Sequence, residues 1–170
     1  MVKTVKNITL YCIAVLLCAC NAGKNNETDF QQEQVLSAEN NEAPDYDVTH
    51  SEEPVLITSE QMFSTLIAEP DAVQTWRYKG EKPCVIDFFA TWCRPCSEMA
   101  PIYDALAKEY SGKIIFYKVN VDQLKELSLH WGISGMPTLL FCNDNGKEML
   151  LGYQNEEQLR LQLDKLLSHE

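Results

Sequence analysis

The feature that most constrains the fold is a run of seven residues, Cys84 to Ala90, in which only Asp87 is not apolar. A nearly continuous apolar run of this length predicts a central strand that is covered on both faces of its sheet. The residues after the run carry apolar side chains at helical spacing as far as Tyr110. The strand therefore leads into a helix, and the junction between them lies at residues 91–97.

Asp87 is an anomaly inside this predicted central strand. A buried carboxylate without compensation is costly, so the group must be paired, hydrogen-bonded or kept protonated by a raised pKa. The alternative is that Asp87 lies at a strand edge and faces water.

Two cysteines, Cys93 and Cys96, lie at the predicted start of the helix, with Arg94 and Pro95 between them. Proline is tolerated in the first helical turn. Unpaired backbone N–H groups and the helix dipole favour a Cys93 thiolate there, which lowers its pKa below the free value of ~8.5. Cys96 lies one turn further on and should be less exposed. The spacing lets the two sulfurs form a disulfide without backbone movement, so the pair predicts a redox-active dithiol.

Zinc binding and an inert structural disulfide are the alternatives for this pair. A zinc site needs a second ligand pair, and the sequence has no second C-x-x-C and no H-x-x-x-H among its three histidines, His50, His130 and His169. We therefore expect no metal. The structural disulfide remains an alternative.

Other patterns in the folded region predict further elements, while residues 69–83 are ambiguous because prolines and a glycine interrupt them. A short apolar run at Val55 to Ile57 precedes a predicted helix that Thr58 or Ser59 caps. The further predictions are a strand at Ile114 to Asn120, a short helix at Gln123 to Leu129, a hairpin of Thr138 to Cys142 with Glu148 to Leu151 around Asn145-Gly146, and a last helix that opens at Asn155 with Gln158 in the reciprocal capping position.

The first residues, 1–19, predict a signal peptide. Two lysines precede an apolar run that is shorter than the ~20 residues of a membrane-spanning helix. The run ends at Leu17-Cys18-Ala19-Cys20, which resembles the bacterial lipobox and implies that Cys20 receives the lipid. The alternative is an ordinary cleaved signal with incidental cysteines. Either interpretation places the mature domain outside the cytoplasm, in the cell envelope and most simply facing the periplasm.

Residues 20–54 predict an acidic, disordered tether. Nine acids and one lysine give residues 21–54 a net charge of −8, and they have few large apolar side chains to bury. A flexible chain of about 30 residues reaches roughly 30 Å. Residues 55–170 form the folded domain and carry a net charge of −5. We expect no nucleic-acid partner, because phosphate binding needs a basic stripe.

Several motifs in order resemble the thioredoxin family, closely over residues 80–168 and loosely over 55–79. Asp87 to Cys93 is similar to the family's D-F-W-A-x-W-C run, and Lys118 to Asp122 to its K-x-N-x-D segment. Trp131 to Thr138 is similar to the segment that holds its cis-proline. The resemblance implies an α/β thioredoxin fold, with a central mixed β-sheet flanked by helices on both faces.

The resemblance also implies a substrate surface beside Cys93. The Met136-Pro137 bond is expected to be cis, and its backbone to bind an extended substrate segment by strand addition. An ordinary trans turn proline is the alternative. Trp92 and Trp131 are expected to complete an apolar substrate surface with Met136.

The chemistry that the resemblance implies needs no cofactor. Cys93 attacks a substrate disulfide, Cys96 resolves the mixed disulfide, and Asp87, assisted by Lys118, accepts the Cys96 proton through water. The family pairs Asp with reducing members, so we expect reduction or isomerisation of disulfides in exported proteins. A membrane thiol-relay protein is the implied electron donor, and we expect a monomer.

Departures from the family pattern flank the cysteines. Arg94 replaces the usual glycine, and its guanidinium should favour the thiolate and ease reduction of the pair, together with Pro95 as a redox-tuning position. Ser97 replaces the usual basic residue. Two alternative functions remain: a disulfide-forming oxidase with the same centre, and a non-catalytic module that binds misfolded exported proteins.

Cys84 and Cys142 match no family motif. If the strand after Pro137 runs antiparallel to the strand at Cys84, as in the family, the two cysteines lie opposite one another within about one residue of register. We expect two buried free thiols, because free cysteine behaves as a small hydrophobic residue and direct cross-strand bridges strain disulfide geometry. A second disulfide is the alternative.

Overall fold

The computed structural model describes residues 47–69 and 75–168. The predicted signal peptide, Cys20 and most of the predicted tether lie outside this part of the chain. The described residues form five strands and four helices, in the order β1 Val55–Ile57, α1 Glu60–Leu66, β2 Cys84–Phe89, α2 Arg94–Glu109, β3 Ile115–Asn120, α3 Lys125–His130, β4 Thr138–Asn143, β5 Gly146–Leu151 and α4 Glu156–Ser168.

The strands form one mixed sheet in the order β1-β3-β2-β4-β5. β1, β3 and β2 are parallel, whereas β4 runs antiparallel to both β2 and β5. β2 lies in the centre, and five of its six residues are buried. The predicted α/β fold and central strand are confirmed.

Each face of the sheet carries its own apolar core. One core contains Cys84, Ile86 and Phe88 of β2 together with side chains of α1 and α3. The other contains Val85 of β2 together with side chains of α2 and α4. Successive side chains of a strand point to opposite faces, so Asp87 lies on the same face as Val85. The alternation thus directs the carboxyl group towards α2, the helix that begins beside the cysteines.

The same alternation places Lys118 beside Asp87. Lys118 is the register partner of Asp87 across the parallel β2–β3 pair. It lies two residues after Phe116, whose side chain packs in the core formed with α2 and α4. Both charged groups therefore project from neighbouring strands towards α2.

Several local predictions are confirmed by side-chain contacts. Ser59 caps α1, because its hydroxyl accepts a hydrogen bond from the Met62 N–H at 3.1 Å. Asn155 and Gln158 cap α4 reciprocally, with two hydrogen bonds of 2.9 Å. The β4–β5 hairpin forms as predicted, but its turn is one residue earlier than Asn145-Gly146. Gly146 pairs with Asn143 in the sheet, because the Asn143 side chain accepts hydrogen bonds from the turn and fixes its position.

Residues before Val55 also contact the domain. Val48 packs against the core beside α1, and Lys82 Nζ donates a hydrogen bond to the Thr49 carbonyl at 3.1 Å. The packed part therefore begins upstream of Val55, while the division into 1–19, 20–54 and 55–170 stays a prediction. Within residues 47–69 and 75–168, no helix combines the length and apolar character needed to cross a membrane.

Cys84 and Cys142 are direct register partners in the β2–β4 pair. Both are buried and unbridged in this structure. The predicted juxtaposition is confirmed, and it lies at the end of β2 opposite the other cysteine pair. Burial raises the pKa of the Cys142 thiol, and a hydrogen bond with Cys84 adds to this. The Cys142 thiol is therefore kept in its protonated, unreactive form.

Candidate redox site

Cys93 and Cys96 are joined by a disulfide, so the structure represents the oxidised form of the site. Cys93 is the N-cap of α2, and Pro95 occupies its first turn as predicted. The Cys96 backbone N–H donates a hydrogen bond to Cys93 Sγ at 3.2 Å. In the reduced form, the same N–H and the positive end of the helix dipole would stabilise a thiolate on Cys93.

The expected difference in exposure between the two cysteines is absent in this oxidised form. Cys93 is 5% exposed and Cys96 is 4% exposed, because the disulfide holds both sulfurs against Ala90. The asymmetry lies instead in what the cysteines face. Cys96 lines a cavity under the helix, whereas Cys93 is not among the residues that line it.

Asp87 is buried beneath the site. It is 1% exposed, and its Oδ1 atom has no hydrogen-bond partner in the described part of the chain. Burial raises the pKa of Asp87 to about 7, the Lys118 ammonium opposes that rise, and the Asp104 carboxylate adds to it. The alternative of a water-facing Asp87 at a strand edge is therefore excluded.

Lys118 forms its ion pair with Asp104 and acts on Asp87 from a greater distance. Its Nζ lies 3.5 Å from Asp104 Oδ1 and above the rings of Phe89 and Tyr103, 5.5 Å and 5.9 Å from their centroids. Lys118 therefore acts on Asp87 through its charge and not through a close ion pair. The reason is that α2 supplies a second carboxylate and an aromatic face within reach of the ammonium.

A cavity of about 220 Å³ connects these groups. Its volume is enough for several water molecules, each of which occupies roughly 30 Å³ in the liquid. Polar groups on its wall can hydrogen-bond such water. The lining consists of Asp87, Phe89, Ala90, Thr91, Cys96, Ser97, Ala100 and Lys118. A proton can therefore pass between Cys96 and Asp87 through water.

Met136 packs against the disulfide, in a small cluster with Ala90, Cys93 and Cys96. The Met136–Pro137 peptide bond is cis, as the resemblance implies. The Pro137 carbonyl accepts a hydrogen bond from the Gly152 N–H at 2.8 Å, which ties this loop to the end of β5.

Trp92 presents the largest exposed apolar surface next to the cysteines. Its side chain is 68% exposed, and its Nε1 donates a hydrogen bond to Asp122 Oδ2 at 2.8 Å. This hydrogen bond fixes the indole beside Cys93. Trp92 and Met136 therefore flank the disulfide.

The prediction that Trp131 contacts substrate is wrong. Trp131 is 3% exposed and packs in the core against the rings of Phe63 and Trp76, with centroid distances of 5.4 Å and 6.4 Å. Lys147 Nζ lies 5.3 Å from the Trp131 ring centroid. The aromatic contacts bury the indole on the α1 and α3 side of the sheet, out of reach of a substrate.

Arg94 is exposed to solvent, as expected from its position beside the cysteines. Its side chain is 90% exposed, and its Nε donates a hydrogen bond to Glu98 Oε1 at 3.0 Å. Because solvent and Glu98 both weaken its field, we expect only a small effect on the Cys93 thiolate.

Sequence reasoning missed Asp104 and the anchoring role of Asp122. Asp104 follows Cys96 and Ala100 at intervals of four residues, so helical spacing alone places all three on one face of α2. That spacing was the signal that could have found it. Among the described residues, no cluster of three or more His, Cys, Asp or Glu side chains is arranged to hold a metal ion.

Comparison with known proteins agrees with this geometry. A family model described as Thioredoxin matches residues 54–165. The thioredoxin of Borreliella burgdorferi is 39% identical over 83 residues, which cover 48% of this chain and 71% of that protein. The thioredoxin of Alicyclobacillus acidocaldarius is 41% identical over 90 residues, which cover 52% and 86% of the two chains. The M-type chloroplast thioredoxin of Spinacia oleracea is 42% identical over 91 residues, but only 50% of its length is covered.

A solved structure gives the same fold. The thioredoxin of Malassezia sympodialis superimposes with a TM-score of 0.54 at 28% identity, over 68% of this chain and 92% of that one. The family match spans most of the chain, and the site contains the disulfide and the buried carboxyl group that the family resemblance implied. The chain therefore belongs to the thioredoxin family and is a thiol–disulfide oxidoreductase that acts on disulfide-bearing proteins.

Proposed function

We propose that this oxidoreductase reduces or isomerises disulfides of exported proteins, with Cys93 as the nucleophile and Cys96 as the resolving thiol. The observation that supports these roles best is that Cys96 shares the cavity of about 220 Å³ with the buried Asp87. Only the resolving thiol needs a proton acceptor during the reaction, since the nucleophile is already a thiolate.

In the first step, the Cys93 thiolate attacks one sulfur of the substrate disulfide. A bond forms between Cys93 and that sulfur, the substrate disulfide breaks, and the second substrate sulfur leaves as a thiolate. The Cys96 N–H, 3.2 Å from Cys93 Sγ, and the N-terminus of α2 stabilise the attacking charge.

In the second step, the Cys96 thiol transfers its proton through water in the cavity to the Asp87 carboxylate. The resulting thiolate attacks Cys93, the Cys93–Cys96 disulfide forms, and the remaining substrate sulfur leaves as a thiolate. A base whose pKa is about 7 is well matched to this transfer near neutral pH.

The substrate binds where Trp92 and Met136 flank the cysteines. We propose that an extended substrate segment bonds to the backbone at Met136 and Pro137, in the manner of an added strand. The exposed Trp92 indole supplies apolar contact area that is already fixed by Asp122.

The oxidised site must be reduced again after each turnover. We propose a membrane thiol-relay protein as the donor of two electrons, and a lipid on Cys20 with residues 20–54 as the tether that keeps the domain near that donor. The acidic composition of residues 21–54 supports a tether, because it offers little apolar surface to bury.

Cysteine variants test the assigned roles. We expect Cys93→Ser to abolish reduction of a protein disulfide, and Cys96→Ser to form a covalent complex with substrate that dithiothreitol releases. Non-reducing electrophoresis measures both. Cys84→Ala is the control, because it removes a thiol at the far end of β2 and should leave reduction intact. A covalent complex with the Cys93→Ser variant would reverse the two roles.

A further inference from the structure

The charged and titratable groups that face Asp87 come from two elements. β3 supplies Lys118, and α2 supplies Asp104, Tyr103 and Cys96. On β4, the register partner of Asp87 is the apolar Leu139. The single Tyr103 hydroxyl proton is shared between two backbone carbonyl oxygens at 2.9 Å and 2.8 Å, and burial raises the pKa of Tyr103 well above its ordinary value. Among the described residues, Lys118 and Asp104 are therefore the charged side chains that act on Asp87.

Lys118 does not form an ion pair with Asp87, although the Asp87 carboxyl group has an oxygen atom without a hydrogen-bond partner among the described residues. Asp87 is the register neighbour of Lys118, yet the ammonium lies 3.5 Å from Asp104 Oδ1. The Lys118 side chain is 20% exposed and that of Asp104 is 52% exposed, whereas Asp87 is 1% exposed. The ammonium is thus bound on the solvent side of the buried acid.

Three groups on α2 and β2 hold the ammonium in this position. Asp104 supplies the charge, and the rings of Phe89 and Tyr103 lie 5.5 Å and 5.9 Å from Nζ to their centroids. Without Asp104, the aromatic contacts alone would have to compete with a buried, unpartnered carboxylate. A flexible lysine chain is long enough to change partners.

We propose that Asp104 is a positioning residue of the redox site, which keeps the Lys118 ammonium away from the Asp87 carboxylate and so preserves Asp87 as a base. A close ion pair would favour the ionised form of Asp87 and make it a weaker proton acceptor. The inference rests on the proposed function in one respect, namely that Asp87 accepts the Cys96 proton.

Removing the charge of Asp104 should shift the protonation equilibrium of Asp87 towards the ionised carboxylate. Asp104→Asn removes a neighbouring negative charge and also frees Lys118 to approach, and both changes favour the ionised Asp87 carboxylate. We expect its titration to move down by about half to one pH unit, the size expected for a partly exposed charge close to a buried group. Asp104→Glu keeps the charge and should restore the wild-type titration.

The direct test is a ¹³C NMR titration of the Asp87 side-chain carboxyl carbon in the oxidised full-length protein, where neither redox cysteine titrates. Glu109→Gln is the matched control, because it removes an acid of the same helix that binds Arg160 at the other end. We expect no shift of the Asp87 titration in that control. An unchanged titration in Asp104→Asn would overturn the proposal.

A double-substitution cycle separates positioning from simple charge repulsion. If Asp104 acts through Lys118, then Asp104→Asn should shift the Asp87 titration less than half as far in a Lys118→Gln background as in the wild type. Equal shifts in both backgrounds would show that Asp104 acts by its own charge, and would also overturn the proposal.

The rate of the Cys96-dependent resolution step, measured against pH, distinguishes this inference from the proposed function. The acidic limb of this pH–rate profile should move with the Asp87 titration in the Asp104→Asn variant, and it should disappear in the Asp87→Asn variant. If the titration moves as expected while the limb stays in place, Asp104 positions Lys118 as proposed, but Asp87 is not the proton acceptor of the reaction.

Discussion

At the scale of single residues, Asp87 is the group whose burial calls for an explanation. Its carboxyl group lies within the apolar interior and has an oxygen without a hydrogen-bond partner in the described chain. Folding alone gains nothing from an ionised group in this position, since an amide of the same shape would avoid the desolvation. A role in proton transfer explains why an acid is found there.

The raised pKa of Asp87 predicts how stability depends on pH. In the unfolded chain the group titrates near 3.8, and in the folded protein near 7, so the native state binds its proton more tightly. The destabilisation is therefore absent below about pH 4, grows as pH rises from about 4 to 7, and is complete above pH 7. The ionised carboxylate lowers the free energy of unfolding at pH 8.

We expect Asp87→Asn to raise the free energy of unfolding at pH 8 by roughly 2 to 4 kcal/mol more than at pH 4. Urea unfolding of the oxidised protein at the two pH values measures the difference. Asp164→Asn, which changes an exposed acid bound by the Tyr110 hydroxyl, serves as the control and should show little pH-dependent gain. A gain that is equal at both pH values would mean that folding does not raise the pKa of Asp87, and would contradict this account.

The positions of single residues could be predicted where all the residues needed for the prediction lie in one segment of the chain. Cys93 and Cys96 lie in a single strand-to-helix junction, and Asp87 interrupts a single apolar run, so position in the chain was sufficient. The prediction for Trp131 was wrong because its burial depends on Phe63 and Trp76, which are distant in sequence. No local pattern reports such contacts.

At the scale of elements, the position of the site follows from the side chains of β2, which point alternately to the two faces of the sheet. One face of this strand packs against α1 and α3, and the other face directs Asp87 towards α2. Apolar periodicity was sufficient to predict β2 and α2. It did not predict that Lys118 would bind Asp104, because that contact depends on how closely α2 lies to β3.

The β2–β4 pair also yields a prediction about the second pair of cysteines. Cys84 and Cys142 are register partners, and both are unbridged and buried. We expect two free thiols within residues 47–168 of the oxidised protein, in addition to the catalytic disulfide. Alkylation in denaturant, followed by mapping of the alkylated cysteines, measures them. The control is the Cys84→Ala variant, in which one thiol should remain. Finding neither thiol in the wild type would establish a second disulfide.

At the scale of the whole molecule, location and chemistry are expected to be separable. The described domain holds the complete redox site, whereas Cys20 lies outside it, so a lipid there would determine only where the enzyme acts. The match to the thioredoxin family covers residues 54–165, and the segment before it lies outside that match. The function of that segment is therefore inferred from its composition and from the lipobox-like pattern at Cys20.

We expect Cys20→Ser to release the protein from the membrane fraction without changing its specific activity. Fractionation of cells followed by a disulfide-reduction assay on each fraction measures both properties. Cys18→Ser is the matched control, because it changes the neighbouring cysteine and should leave the protein at the membrane. Retention of the Cys20→Ser variant at the membrane would indicate an uncleaved signal anchor in place of a lipid.

The central claim is that the Cys93–Cys96 centre donates electrons to substrate disulfides. Its most direct test is the equilibrium reduction potential of this pair in the full-length protein, measured in glutathione buffers by alkylation. We predict a value near that of thioredoxin, ~−270 mV, because the exposed Arg94, bound by Glu98, adds little stabilisation of the reduced pair to that of the α2 N-terminus. A value near ~−120 mV, typical of a strong bacterial oxidase, would contradict the account and establish the protein as a disulfide-forming oxidase.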